Sequence, residues 1–465
     1  MFCRSKNDPD EARPNVNICP VCMAHPGTLP VINREAVRHV LRVGIALNAK
    51  LADYTEFDRK NYFYPDLPKG YQLSQYEYPL VTQGQLKGVA ITRVHLEEDT
   101  ASSIHTEGEG TTIDFNRGGV PLMELVTEPV ITSAKQAGDF ARELQLVLRY
   151  LGASDANMEK GEMRVEANVS VGRDGILGTK VEIKNLNSFR AMERAVEYEI
   201  KRQTDVLKRC GTVAQETRGW DEGKQSTFPQ RVKEGSADYR YFPDPDLPSL
   251  KLSEIPEFSQ EDLRKSMPEL PEDRRTRYLA LGLKTEDAEA FVRNDQLGAF
   301  FESVISKWGA DPAKIVVASN YITNDLVSLN AAKDSPQNSR DTNNRDTDFQ
   351  SEISISPHNF SSLIDMVVAK KISSRSAKDL LAKMAATDAD PERLAAEEGL
   401  FQVSSTEDLR LIVQGVLAAN AAVVNEYKAG KAAALEYLLG QCMKASKGAG
   451  NPSVMRDLLR EEAAR

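Results

Sequence analysis

Residues 164–171 read RVEANVSV. Val165, Ala167, Val169 and Val171 alternate with Arg164, Glu166, Asn168 and Ser170, the period of two that a strand shows when one face is buried and the other is polar. Lys180 to Lys184 (KVEIK) repeats the pattern with Val181 and Ile183 inward. Asn187 or Ser188 can then cap a helix whose apolar stripe is Phe189, Met192, Val196 and Ile200. Strands with one buried face followed by an amphipathic helix predict an α+β fold with an antiparallel sheet. Working outward, 34–50 and 133–151 fit further helices, and loops rich in Gly, Pro, Asp and Asn separate strand signals as far as about residue 250. From Ser253 the strand signals stop and helical periodicity runs to the C-terminus, so the second half is expected to be all α. Within it, 331–355 is polar apart from Phe349, Ile353 and Ile355, as a disordered linker or insertion would be. Helices resume after Pro357 with Phe360, Leu363, Ile364 and Val367 on one face, and again from Thr406 with Leu409, Ile412, Val413 and Val416. The expected division is 1–252, 253–405 and 406–465.

At 465 residues the chain is too long for one ordinary core. The 59 basic and 69 acidic side chains give a net charge of −10, which excludes a generic polyanion binder and restricts any nucleic-acid contact to a local basic patch. No apolar run approaches the roughly 20 residues that span a bilayer, so no membrane segment is expected. The first residues resemble neither a secretory signal nor a transit peptide, and five cysteines are too few for a disulfide framework; a cytoplasmic protein is expected.

Five clusters carry chemistry. Residues 57–72, FDRKNYFYPDLPKGYQ, mix the cations Arg59, Lys60 and Lys69 with Tyr62, Tyr64 and Tyr71, while Pro65, Pro68 and Gly70 fix the backbone between them. The segment reads either as a wall that holds something anionic or as a rigid surface loop with snorkelling aromatics. The acidic cluster His95, Glu97, Glu98 and Asp99 and a second containing Asp114, Arg117 and Glu124 offer hard oxygen ligands. Magnesium takes one or two such carboxylates and completes its shell with water and phosphate oxygens; the alternative is a solvated acidic loop. Neither GxxxxGK[ST] nor GxGxxG occurs, so a nucleotide site here would lack a phosphate loop. Cys3, Cys19 and Cys22 form C-x15-C-x2-C, a zinc knuckle for which His25 is the nearest fourth ligand, or else a set of reduced free thiols. Gly440 to Pro452, GQCMKASKGAGNP, brings Lys444 and Lys447 to a helix end, where they contact phosphates or are simply solvated. None of the five histidines sits in a nucleophile motif, so no hydrolase triad is expected.

Taken in order, FDRKNYFYPDLPKGYQ, TRVHLEED, DFNRGGVPLMELVTEP, MEKGEMRVEANVSV, VEIKNLNSFRAMERAVEYEIKRQ and VKEGSADYRYFPDPDLP closely resemble the signatures of the B subunit of bacterial glutamyl/aspartyl-tRNA amidotransferases, and GQCMKASKGAGNP resembles the end of that family's tRNA-binding tail. The resemblance covers nearly the whole chain. It implies a cradle-shaped kinase domain, a helical domain and a small helical tail. It also implies that ATP phosphorylates the side-chain carboxylate of glutamate or aspartate misacylated onto tRNA, after which ammonia displaces the phosphate. The ammonia would come from glutamine hydrolysed by an amidase (A) subunit, in a heterotrimer with a small C subunit. Carried over, Glu98 and Glu124 match the magnesium ligands, Lys60 with neighbours Arg59 and Tyr62 the phosphate contact, and Cys3, Cys19 and Cys22 the structural zinc cysteines found in part of the family. The family pattern there is FCxC, and Ser5 stands at the second cysteine, which leaves His25 or another group to complete the site. The family opens with a strand containing Gly-Leu-Glu-x-His whose Glu and His are further magnesium ligands. This sequence begins at Met1-Phe2-Cys3, which reads as a start-site error or a shortened chain. That difference motivates the alternative of a non-catalytic tRNA-binding scaffold. A small-molecule carboxylate-amine ligase would fit the acidic clusters but not the tail.

Overall fold

The alternation in RVEANVSV builds a strand over Val165–Val169, and Ser188 caps the helix behind it, its hydroxyl accepting from the Ala191 N–H at 3.0 Å. Both belong to a computed structural model that describes residues 1–106, 110–232, 238–334, 353–402, 406–446 and 450–464. The chain divides into two units, Met1–Pro271 and Glu272–Arg465.

In the first unit α1 (Arg34–Ala46) starts at Asn33, whose side chain accepts from the Glu35 and Ala36 N–H groups. It stops four residues short of the expected end because Asn48 turns into the left-handed region (φ 51°). The chain then forms β1 (Lys50–Leu51), β2 (Asp58–Asn61), β3 (Tyr71–Ser74), β4 (Val81–Thr82), β5 (Val89–Glu98) and β6 (Pro121–Thr127). One antiparallel sheet runs in the order β1, β4, β5, β6, and α1 packs Val37, Val40 and Leu41 with Val81, Val94 and Leu96 into its core.

After α2 (Ala134–Tyr150) come β7 (Val165–Val169), β8 (Val181–Leu186), α3 (Phe189–Lys208), β9 (Glu216–Asp221), β10 (Ser226–Val232) and β11 (Phe242–Pro243). β7 with β8 and β9 with β10 are antiparallel, as the alternation predicts, but β8 and β9 run parallel. The reason is α3: a helix between two neighbouring strands returns the chain to the end from which it left, so the next strand points the same way. The stripe Phe189, Met192, Val196 and Ile200 packs on Val169, Ile183 and Trp220, with Ala141 of α2 beside them. β11 returns to the first part of the unit and forms a small sheet with β2 and β3.

In the second unit the described residues are helical apart from turns and one isolated bridge between Ile372 and Phe401. Phe360, Leu363 and Ile364 are fully buried as their spacing predicts. Helices Thr406–Ala419, Ala421–Lys428, Ala432–Ala445 and Pro452–Ala464 close on a core of Leu409, Val413, Leu438, Cys442, Met455 and Leu459. Of the polar stretch 331–355, residues 335–352 lie outside the described residues. No described helix is long and apolar enough to cross a membrane.

Candidate functional site

The ladder between β5 and β6 decides which carboxylates meet. Its register sets Glu124 opposite His95, Leu122 opposite Glu97 and Pro121 opposite Glu98. Directly opposed residues share a face and successive residues alternate, so His95, Glu97 and Glu124 project to one side of the sheet, and Leu96 and Glu98 to the other. The ligand atoms of His95, Glu97 and Glu124 all lie within 4.8 Å of one another. His95 Nε2 is 3.8 Å from Glu97 Oε2 and 3.9 Å from Glu124 Oε2. His95 and Glu97 are buried, while the Glu124 side chain is 44% exposed, so the cluster opens toward solvent at one corner. His95 Nδ1 and Glu97 Oε2 are buried without a hydrogen-bond partner. Such an orphan costs about 1–3 kcal/mol, and the unpaired Glu97 Oε2 faces His95 Nε2 at 3.8 Å within the cluster. Burial works to raise the Glu97 carboxyl, but the His95 imidazole, the Lys60 ammonium and the Ser74 hydroxyl outweigh it and hold the group below its usual range. Two carboxylates and an imidazole suit a hard divalent cation with sites left for water and phosphate oxygens.

Glu98 lies on the other face of the strand. Its Oε1 accepts from the Leu73 N–H at 2.9 Å and pairs with Lys69, and its backbone carbonyl accepts from Gln72 Nε2 at 2.7 Å. It therefore anchors the 57–72 segment from the back of the sheet. The structure does not bring Glu98 and Glu124 together as the sequence reading expects, since a step of one residue along a strand changes face. His95 and Glu97 stand in the same HLEED run. The signal that selects them is parity: only alternate members of the run share a face.

In front of the cluster stands a tyrosine wall. Lys60 Nζ lies 5.9 Å from the Tyr62 ring centre and 5.2 Å from that of Tyr239. Tyr76 and Tyr241 stack at 4.3 Å with 12° between planes. Burial first, then the charge of Glu97, pushes the Tyr62 and Tyr241 hydroxyls above their usual range, so both are neutral donors. Tyr62 donates to Gln72 Oε1 at 2.9 Å. Arg59 points away from Lys60, as the next residue on a strand must. Its Nε donates to the fully buried Asp244 carboxylate at 2.7 Å, and its guanidinium stacks 4.4 Å from the Tyr71 ring. Tyr239 and Tyr241 reach the wall because Phe242 pairs with Arg59 in the β11 to β2 ladder, a long-range contact with no local signal.

The two families of domain that match cover most of the chain. The GatB/GatE catalytic domain matches residues 1–256 and the GatB domain residues 299–462. The B subunit of the aspartyl/glutamyl-tRNA(Asn/Gln) amidotransferase of Thermomicrobium roseum is 44% identical over 99% of this chain and 94% of its own. That of Thermoanaerobacter sp. is 40% identical over 97% and 93%. The B subunit of the chloroplastic/mitochondrial glutamyl-tRNA(Gln) amidotransferase of Ostreococcus lucimarinus is 42% identical over 98% and 92%.

The chain belongs to the family of aspartyl/glutamyl-tRNA amidotransferase B subunits.

In this family member Cys3, Cys19 and Cys22 gather as their spacing predicts, with Cys22 Sγ 3.6 Å from Cys3 Sγ and 3.3 Å from Cys19 Sγ. The Cys22 thiol, donating toward Cys3, holds the Cys3 group below the usual thiol range. His25 is exposed and stands outside the group. Ser5 is inside it, with Oγ 3.3 Å from Cys22 Sγ. In the tail, Lys444 lies on the last turn of Ala432–Ala445 and lines a groove of about 550 Å³ with Leu411, Gly415, Asn420 and Gln441. Lys447 lies outside the described residues.

Proposed function

We propose that this member of the B-subunit family performs the ATP-dependent step of a tRNA-dependent amidotransferase, acting on glutamate or aspartate misacylated onto the glutamine or asparagine tRNA. A side-chain carboxylate oxygen attacks the γ-phosphorus of ATP, ADP departs, and ammonia then attacks the acyl carbon as inorganic phosphate leaves. The observation that carries the reading is the His95, Glu97 and Glu124 cluster beside Lys60 on a tyrosine wall. Phosphoryl transfer asks chiefly for positioning and for charge opposite the phosphates, and these residues supply both. His95, Glu97 and Glu124 would hold magnesium, which when bound offsets the charge of the phosphate oxygens. Lys60 faces the transferred phosphate, and the rings of Tyr62 and Tyr239 keep its ammonium in place. Arg59, locked to Asp244, holds the strand that presents Lys60. Glu98 fixes the segment that carries Tyr62.

The family name supports a complex of several subunits, and the finer composition is a heterotrimer with an amidase (A) subunit that supplies ammonia and a small C subunit. On this reading residues 1–252 are the kinase domain, 253–405 a helical domain, and 406–465 a tail that meets tRNA through Lys444 and Lys447. The three thiols hold a structural zinc ion. The enzyme works in the cytoplasm. The test is release of labelled phosphate from ATP by the assembled complex. Release that depends on misacylated tRNA and is lost in Glu124→Gln supports the proposal. Wild-type transamidation by Glu97→Ala together with Glu124→Ala would overturn it and leave a tRNA-binding scaffold.

A further inference from the structure

The thiol cluster lacks a fourth sulfur, and the side chain set against it in the structure is Ser5. A tetrahedral zinc ion with Zn–S bonds of about 2.3 Å sets its sulfurs about 3.8 Å apart, and an oxygen ligand about 3.5 Å from each sulfur. Cys22 Sγ lies 3.6 Å from Cys3 Sγ, 3.3 Å from Cys19 Sγ and 3.3 Å from Ser5 Oγ. Three edges from one vertex thus come within about 0.5 Å of those of a tetrahedron. Two N–H groups are directed at the sulfurs, Ser5 N–H at Cys3 Sγ (3.5 Å) and Cys19 N–H at Cys22 Sγ (3.2 Å). Such donors orient a thiolate and spread its charge.

The chain between the cysteines is tied to the turn at 113–116 by hydrogen bonds. Asn15 N–H donates to Asp114 Oδ1 at 3.0 Å, Val16 and Asn17 N–H to Asn116 Oδ1 at 2.8 and 2.9 Å, and Asn116 Nδ2 to the Arg13 carbonyl at 2.8 Å. The turn that receives them precedes β6, the strand of Glu124. These bonds fix residues 13–17, between Ser5 and Cys19, and His25 is exposed and outside the cluster.

We propose that Ser5 Oγ is the fourth ligand of this site, so that the protein holds zinc through three thiolates and one hydroxyl. The inference rests on the reading of the cluster as a zinc site. An alcohol oxygen is a harder and weaker partner for zinc than a thiolate, and it leaves the site one negative charge poorer than four cysteines would. The zinc is accordingly more exchangeable than in a four-thiolate site, and the difference lies in one side chain.

The experiment is zinc-edge X-ray absorption on the full chain loaded with zinc alone, with the rate of zinc transfer to a chelator measured in parallel. The expected wild-type shell is three sulfurs at about 2.3 Å and one light atom at about 2.0 Å, without the outer-shell scattering of an imidazole. Ser5→Cys should give four sulfurs and slow the transfer by on the order of tenfold or more, and Ser5→Ala should speed it by on the order of tenfold. Imidazole scattering that disappears in His25→Ala would overturn the proposal in favour of His25. An unchanged transfer rate in Ser5→Ala would overturn it in favour of water. Zinc bound by Ser5→Cys but not by the wild type would overturn it as well. Zinc bound by neither would refute the metal reading itself, and phosphate release would show separately whether the chemistry at Glu97 and Glu124 stands.

Discussion

Glu97 and Glu98 are neighbours with nearly equal burial, and the ladder assigns them opposite work, so exchanging each for glutamine separates chemistry from stability. In Glu98→Gln the amide oxygen still accepts from Leu73 N–H, but Lys69 loses its counter-charge. The Lys69 and Glu98 side chains are 17% and 5% exposed. Removing one member of a fully buried pair costs about 3–5 kcal/mol, and the partial exposure of Lys69 reduces this to about 2–3 kcal/mol. For a unit of this size that lowers Tm by about 4–10 °C. Glu97→Gln costs nothing at Oε2, which has no hydrogen-bond partner, but forfeits the attraction of His95 and Lys60 that holds the carboxyl low, so stability should fall by about 1 kcal/mol, less than in Glu98→Gln. Phosphate release from ATP by the assembled complex should fall on the order of 100-fold, because a ligand of the cation is gone. Calorimetry with magnesium alone should show the same split, with binding weakened in Glu97→Gln and retained in Glu98→Gln. The reasoning fails if Glu98→Gln melts like the wild type yet loses magnesium, for then the face assignment from the ladder does not describe the working site.

Three further outcomes follow from single contacts. Lys60→Ala should raise the KM for ATP and lower kcat while the melting temperature moves by less than about 2 °C, since Lys60 is only half-buried between two rings; an unchanged kcat would remove Lys60 from the site. Arg59→Ala leaves the fully buried Asp244 carboxylate without its guanidinium and should cost about 3–5 kcal/mol in chemical denaturation, whereas a loss under about 1 kcal/mol would contradict the buried pair. In the second unit Glu289 is held below its ordinary 4.5 because Arg275 and Arg293 outweigh the effect of burial. A depressed folded value means that its contribution is complete above the unfolded value and is lost as pH falls through the folded one. Urea midpoints of the wild type and Glu289→Gln should thus differ most above about pH 5.5 and converge as pH drops below 4.5. A constant gap across that range would show that the arginines do not act on Glu289.

The strands at 165 and 181, the helix stripe from Phe189, the all-helical second half and the gathering of three cysteines were legible in the chain because each depends on periodicity or spacing over a few residues. The parallel pairing of β8 with β9 was not, because it depends on where α3 lays the chain down after twenty residues. Among the carboxylates, local chemistry alone could nominate HLEED and Glu124, yet could not choose within the run. That choice needs the register of a strand more than twenty residues away, and one step of register exchanges Glu97 for Glu98. Tyr239 and Tyr241 enter the wall through a ladder that joins residues far apart in the chain, and Ser5 enters the thiol cluster where spacing pointed to His25. Sequence by itself determined which residue types and which elements this protein has. Only the tertiary structure decided which side chains share a face, since hydrophobic and helical periods are local properties and the meeting of donors across a sheet is not.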